Sequence, residues 1–197
     1  MSTDPMTDAG RVIAGSARGI RLQAPGSASR PLGDRVKQTL FAILEPDLPG
    51  ANVLDLFAGS GAGGIEALSR GSAAAVFVER DPTATAVIEA NLRATGLAGP
   101  DVRVIRSEVT AFMGRPAQEL MIFDIVLVDP PYAETDLRQR VLTWLGGAGA
   151  PLAPGARVVA KHFWRDQPPE QVGLLASERA RRFGETALTF YRRQEDG

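Results

Sequence analysis

Two short stretches of this 197-residue chain concentrate residues whose types and spacing can do chemistry. The first is Val53-Leu54-Asp55-Leu56-Phe57-Ala58-Gly59-Ser60-Gly61, an apolar run that carries one carboxylate and ends in a glycine loop. Helix-forming residues follow from Ala62 to Arg70, and Gly71 stops them. Glycines allow left-handed backbone and close approach of a ligand, and a helix start offers unpaired amides. Gly59, Gly61 and Gly64 satisfy G-x-G-x-x-G, and Glu79 lies 20 residues after Gly59 at the end of the next apolar run. A carboxylate there can take both hydroxyls of a ribose. The pattern fits dinucleotide enzymes and S-adenosylmethionine (SAM) enzymes alike, and also a glycine turn that only lets a helix pack.

The second stretch is Asp129-Pro130-Pro131-Tyr132, directly after the apolar run that ends at Val128. Consecutive prolines stiffen the backbone and remove its donors, so Asp129 and the Pro130 carbonyl can be aimed together at one exocyclic NH2 group. Tyr132 supplies a face for a planar base. Asp55 separates the two cofactor readings: a carboxylate at that strand end suits the cationic amino-acid end of SAM and repels a pyrophosphate. An Asp-Pro turn leading into a helix is the plain structural alternative for the second stretch.

To place these residues, the chain must alternate strands and helices. Asn52 to Phe57, Ala74 to Glu79, Val102 to Arg106, Asp124 to Val128 and Arg157 to Lys161 read as strands separated by helical segments, the pattern of a parallel sheet covered on both faces. The clearest helix runs from Pro82 to Thr95, with Asp81 as cap, Pro82 in the first turn and Gly96 as stop. Another spans Glu134 to Leu145, with Leu137, Val141, Trp144 and Leu145 on one stripe. A short helix is expected near Glu170 to Ala176, then two strands, about Glu178 to Phe183 and Thr186 to Arg192, joined at Gly184-Glu185 as an antiparallel hairpin. Ahead of the sheet, Arg11 to Gly15 and Ile20 to Ala24 read as short strands, and Asp34 to Glu45 as an amphipathic helix stopped by Pro46. Residues 1–10 read as a disordered leader, 11–46 as a basic hairpin and helix, and 47–197 as the catalytic domain.

Composition narrows the chemistry. With 44% hydrophobic and 23% charged residues the chain is an ordinary globular protein, and its apolar runs are far too short to span a bilayer. Without cysteine it can form no disulfide, thiolate nucleophile or Cys-ligated metal site; with one histidine, His162, it can build no His-rich metal site. His162 reads as a structural residue. The net charge of −1 advertises no polyanionic partner, yet the span from Gly10 to Leu40 carries six basic residues and one acid. Any nucleic-acid surface is therefore local. The arginines at 179, 181, 182, 192 and 193 can extend that surface or simply be solvated.

Taken together, these residues resemble a known family. The core is similar to class I SAM-dependent methyltransferases, and Asp-Pro-Pro-Tyr to the amino-methylating motif of nucleic-acid N-methyltransferases. Arg11-Val12-Ile13-Ala14-Gly15 with Arg18-Gly19, Arg30-Pro31, Asp34 to Phe41, Asp55 to Ala62 and Gly64 to Gly71 resemble the bacterial 16S rRNA guanine-N2 methyltransferase (RsmD) family over about Arg11 to Arg192. Two departures stand out: Leu32-Gly33 replace a threonine before Asp34-Arg35, and Lys161 stands where a glutamate is expected before His162.

The resemblance implies a Rossmann-like α/β fold with a seven-stranded, mostly parallel sheet, an antiparallel C-terminal hairpin and a small N-terminal extension. It implies methyl transfer from SAM to the N2 amine of a guanine in small-subunit rRNA, with guanine 966 of 16S rRNA as the family's target. Asp129, Pro130, Pro131 and Tyr132 are then the catalytic residues. Asp55, Phe57, Gly59, Ser60, Gly61, Glu79, Arg80, Glu108 and Asp129 hold the cofactor, and Arg11, Arg18, Arg21, Arg30, Arg35 and Lys37 meet RNA. The expected partner is 16S rRNA or a small-subunit assembly intermediate, and the protein is expected to be a cytoplasmic monomer without metal. An adenine-N6 methyltransferase, an NAD-dependent oxidoreductase and a catalytically silent RNA-binding module remain as alternatives.

Overall fold

The computed structural model describes residues 8–26 and 33–195. Arg30, and residues 1–7 of the leader expected over 1–10, lie outside them. The elements in chain order are β1 (Asp8–Arg11), β2 (Arg21–Gln23), α1 (Asp34–Leu44), β3 (Asn52–Leu56), α2 (Ala62–Ser69), β4 (Ala74–Glu79), α3 (Pro82–Thr95), β5 (Val102–Arg106), α4 (Val109–Met113), β6 (Phe123–Val128), α5 (Thr135–Leu145), β7 (Leu152–Phe163), β8 (Gln171–Val172), β9 (Leu175–Phe183) and β10 (Thr186–Arg193). Strands β3 to β10 form one sheet in the order β5-β4-β3-β6-β7-β10-β9-β8. The pairs from β5 to β7 are parallel, and β7-β10, β10-β9 and β9-β8 are antiparallel.

Alternate residues of the parallel strands enter two separate cores, which is why those strands read as continuous apolar runs. Val53, Ala75, Phe77 and Ile125 pack under α2, α3 and the N-terminal segment. Leu54, Val76, Val78 and Val126 pack under α4 and α5. Helix α3 forms as its sequence requires: the Asp81 carboxylate accepts from the amides of Thr83 and Ala84, and Gly96 closes the helix at φ 69°. Among the described residues no helix is long and apolar enough to cross a membrane.

Three expectations need correction. The first strand is Asp8–Arg11, not Arg11 to Gly15, so residues 8–10 of the expected leader belong to a strand. Residues 13 to 17 cannot continue the ladder because side chains of α2 take their backbone groups. Glu66 accepts from the amides of Ile13 (2.7 Å) and Ala14 (3.1 Å), and Ser69 bonds the Ala14 carbonyl and the Ala17 amide. The helix expected near Glu170 to Ala176 is instead the β8-β9 turn. Gly173 adopts φ 55° there, and a Cβ at Gly173 would sit 2.3 Å from the Gly146 carbonyl oxygen, so only glycine fits. The sheet consequently gains an eighth, two-residue strand.

The described residues of the N-terminal segment pack into the core of the sheet: Ala9, Val12 and Leu22 share one cluster with Ile65 and Ile88. Polar clamps fix it in place. Buried Glu66 also binds Arg70 Nε at 2.8 Å. Asn91, on α3, accepts from the Gln23 amide and donates to the carbonyls of both Gln23 and Ser60, each at 2.9 Å. Replacing Glu66 leaves the Ile13 and Ala14 amides without their acceptor and Arg70 with Glu45 as its remaining carboxylate, the costly case of a half-broken buried pair. Glu66→Ala is therefore expected to lower unfolding free energy by about 3 kcal/mol, measured by urea denaturation, with Glu66→Gln losing less.

Candidate functional site

In a doubly wound sheet the crevice opens at the carboxyl ends of the strands, where the order reverses. Here the reversal lies between β3 and β6: the chain builds outward through β4 and β5, then returns to the other side of β3. A hollow of about 540 Å³ occupies that point. It brings together Asp55, Phe57, Gly59, Ser60, Glu79, Arg80, Glu108 and the whole Asp129-Pro130-Pro131-Tyr132 corner.

The glycine loop is shaped by backbone that L residues rarely adopt. Phe57 has φ 65°, Gly59 55° and Gly61 77°. The strained Phe57 turn is held by the Ala58 amide donating to the Val78 carbonyl at 3.1 Å. Glu79 fixes the loop from β4, accepting from the Gly59 amide at 2.8 Å and the Asp81 amide at 2.9 Å. At Gly64, an added Cβ would lie 2.4 Å from the Phe77 ring, so this glycine serves the packing of α2 against β4. Gly61 does not line the hollow. It faces α3, where a Cβ would meet Ile88 at 3.1 Å.

Asp55 is buried in the tip of β3 and accepts from the Gly64 amide at 2.8 Å. Burial, aided by the charges of Asp129 and Glu79, raises its pKa to about 8 despite that bond. Asp129, at the end of β6, is also pushed upward by burial, opposed by Lys161. The Lys161 ammonium lies 2.6 Å from Oδ1 and 2.9 Å from Oδ2 of Asp129, and 5.5 Å from the Tyr132 ring centre. The Tyr132 hydroxyl pairs with Thr186 Oγ1 at 2.6 Å, which ties the corner to the start of β10. Among the described residues six carboxyl groups line the hollow (Asp55, Glu79, Asp81, Glu108, Asp129 and Glu134) against two cations, Arg80 and Lys161. Arg80 spans Glu108 (3.7 Å) and Glu134 (3.5 Å). A ligand carrying positive charge fits this field; a pyrophosphate does not.

Several lining residues have no signature in the sequence. Glu134 and Lys161 belong to no motif, although Lys161 is visible there as an unexpected residue. Leu40 of α1, with Pro25 and Gly26, brings the N-terminal segment to the same hollow. His162 is buried on the opposite face of β7: one ring nitrogen pairs with the Phe163 carbonyl, the other with Thr189, and burial lowers its pKa, which suits a neutral structural ring.

The expected RNA residues divide. Arg18 and Arg35 are exposed. Arg11 and Arg21 are exposed but lie beside Asp34 (3.6 Å) and Asp8 (2.6 Å). Lys37 must be withdrawn: it is fully buried, donates to the Arg11 carbonyl at 2.6 Å, and burial lowers its pKa, so it holds α1 to the β1 end and offers nothing to a phosphate. Of the late arginines, Arg193 is buried against the carbonyls of Leu145, Gly147 and Ala148, and Arg192 binds Glu178.

A buried carboxyl of this kind makes stability depend on pH. The folded protein keeps on Asp55 a proton that the unfolded chain releases, so stability falls as pH rises from the ordinary carboxylate value of 3.8 to about 8. Asp55→Asn is expected to gain stability steadily relative to the unsubstituted protein across that window, read from melting temperatures. A difference that does not change with pH would contradict the buried carboxyl.

The family described as Conserved hypothetical protein 95 matches residues 10–192 of the chain. Ribosomal RNA small subunit methyltransferase D of Escherichia coli (strain K12) is 36% identical over 188 residues, which is 95% of this chain and 91% of that protein. The solved yhhF structure from Escherichia coli superposes with a TM-score of 0.82 at 32% identity, covering 93% of this chain and 97% of that one. The fold alone extends further, to an RNA methyltransferase of Salinibacter ruber solved with S-adenosyl-L-homocysteine: TM-score 0.62, 18% identity, 85% and 95% of the two chains. A match along nearly the whole length, through both the N-terminal segment and the Asp-Pro-Pro-Tyr corner, means that the chain belongs to the ribosomal RNA small subunit methyltransferase D family.

Proposed function

We propose that this chain is a SAM-dependent rRNA methyltransferase acting on the N2 amine of a guanine in small-subunit rRNA. The observation that carries the reading is the convergence, in one acidic hollow, of the glycine loop with Asp55 and of the Asp129-Pro130-Pro131-Tyr132 corner. S-adenosylmethionine is the methyl donor, supplying an electrophilic methyl on a positively charged sulfur. The hollow fits that group: it has an excess of carboxyl groups, and Asp55, protonated well above the usual range when alone, gains from a nearby cation. Asp55 takes the cationic amino-acid end, Glu79 the ribose, and Phe57, Gly59, Ser60, Arg80 and Glu108 border the remainder.

Guanine N2 is a weak nucleophile because its lone pair is delocalised into the ring. Asp129 and the Pro130 carbonyl accept its two N–H bonds and hold the lone pair in line with the methyl, where orientation alone can supply about 7 kcal/mol or more. The ionised Asp129 carboxylate also stabilises positive charge growing on nitrogen. A guanine in folded RNA must be unstacked to enter, and the exposed face of Tyr132 offsets part of that cost. Arg11, Arg18, Arg21 and Arg35 supply phosphate contacts, which position the RNA without choosing the base.

Product analysis and directed substitutions test this. Incubation with labelled SAM and small-subunit rRNA is expected to yield N2-methylguanine, at position 966 if the target is the family's. N6-methyladenine would favour the adenine reading, and binding of NAD without SAM would end both. Asp129→Ala is expected to lower the rate by about a thousandfold, the scale of removing a main electrostatic partner, while RNA binding persists. Arg18→Ala with Arg35→Ala is expected to reduce the salt dependence of RNA association, by about one unit of the log–log slope for each phosphate no longer neutralised. An unchanged slope removes the N-terminal segment from the footprint.

A further inference from the structure

Lys161 lies in the reaction corner, and neither the glycine loop nor the Asp-Pro-Pro-Tyr motif assigns it a part. It projects from β7 on the same face as Val159 and opposite Leu188 of β10, both of which line the hollow. Its ammonium reaches both oxygens of Asp129 while lying against the Tyr132 ring. Its side chain is only 14% exposed, so water screens the pair little. An ionised carboxylate offers about four lone-pair positions. With one taken on each oxygen by Lys161, each oxygen keeps one for an incoming N–H.

We propose that Lys161 is a positioning residue for the methyl transfer: by bridging both Asp129 oxygens it holds the carboxylate ionised and fixed in orientation, so that Asp129 acts as a hydrogen-bond acceptor for the target amine and not as the base that removes its proton. The proposal rests on the function argued above. In the step itself, the amine lone pair forms the new C–N bond as the S–C bond breaks and its electrons remain on sulfur. The nitrogen, now positively charged, releases its extra proton to water. A carboxylate already neutralised by an ammonium is a poor proton acceptor, so Asp129 stabilises the charge without taking the proton.

The other charged groups that line the hollow leave Lys161 as the partner of Asp129, with Asp81 also on the rim. Asp55 comes from β3, Glu79 and Arg80 from β4 and its end, Glu108 from the loop after β5, and Glu134 from the start of α5. Arg80 is engaged with Glu108 and Glu134. Among the described residues Lys161 is the cation bonded to Asp129, and without it burial favours the neutral acid, which has lost an acceptor site.

The test is single-turnover methyl transfer from SAM to small-subunit rRNA against pH, with Lys161→Met, Lys161→Arg, Asp129→Asn and the Asp129→Asn/Lys161→Met double variant. Lys161→Met is expected to slow transfer at pH 6 by about tenfold or more and to recover toward alkaline pH, because loss of an adjacent cation raises a carboxyl pKa by about one to three. Lys161→Arg is expected to restore the profile. In the Asp129→Asn background, where there is no carboxylate to hold, adding Lys161→Met is expected to change the rate by less than about twofold. A Lys161→Met profile that parallels the unsubstituted enzyme at all pH values, or multiplicative effects in the double variant, would overturn the proposal. If Lys161→Met does not fold, as judged by SAM binding, the Asp129 carboxyl is followed by carbon-13 NMR in the unsubstituted protein and the transfer rate is compared in H2O and D2O: a carboxyl still protonated at the pH of full activity, or a large solvent isotope effect showing proton removal in the rate-limiting step, would refute the inference; a carboxylate ionised throughout the active range with no such isotope effect supports it. Absence of any transfer by the unsubstituted protein would instead defeat the proposed function itself.

Discussion

The structure is organised around an excess of negative charge that the fold forces into one place. Parallel strands that diverge from β3 bring their carboxyl ends together, and three of those ends carry an acid: Asp55 on β3, Glu79 on β4 and Asp129 after β6. The sheet topology leaves these groups no route apart. Each is handled differently. Glu79 is satisfied by two loop amides, Asp129 by a lysine, and Asp55 by a single helix amide that is insufficient to keep it ionised near neutrality. Asp55 is thus the acid with the fewest partners, whereas Glu79 and Asp129 already accept hydrogen bonds from two loop amides and from an ammonium of the protein itself.

The same economy of partners governs the N-terminal segment. Its strands are too short to stand alone, with four and three residues, and its loop is irregular. What secures it is side-chain chemistry from α2 and α3. A serine, a glutamate and an asparagine satisfy backbone groups that a longer sheet would have paired. Packing glycines make the approach possible: at Gly15 an added Cβ would lie 1.8 Å from the Ser69 carbonyl oxygen. The basic side chains of Arg18 and Arg35 are carried on a segment that packs into the same core as the parallel sheet, and its Leu40 lines the hollow at the strand ends.

Where local chemistry dominates, the sequence is sufficient to read the outcome. Helix α3 carries its own cap, first-turn proline and stop, and it begins and ends at the expected residues. The glycine loop and the proline-stiffened corner are legible because each is a contiguous stretch at the end of an apolar run. Expectation and structure part where a distant partner decides the result. Residues 13 to 15 have strand-like composition, but Glu66 and Ser69, more than fifty positions away, claim their backbone groups. Gln171 to Ala176 become a hairpin because Gly173 meets Gly146. Lys37 looks like part of a basic stripe, yet it lies on the inward side of α1 beside Leu40 and Phe41. Lys161 is visible as unusual in sequence, but its partner across the sheet is not.

Asn91 couples two parts of the molecule that the chain keeps far apart. Its side chain is nearly inaccessible and serves two masters at once, the end of β2 and the carbonyl of Ser60 in the glycine loop. Its amide nitrogen gives one hydrogen to each carbonyl, so both bonds depend on the placement of a single side chain. Strand β2 and the glycine loop are therefore joined through one buried side chain of α3, with no strand pairing between them among the described residues.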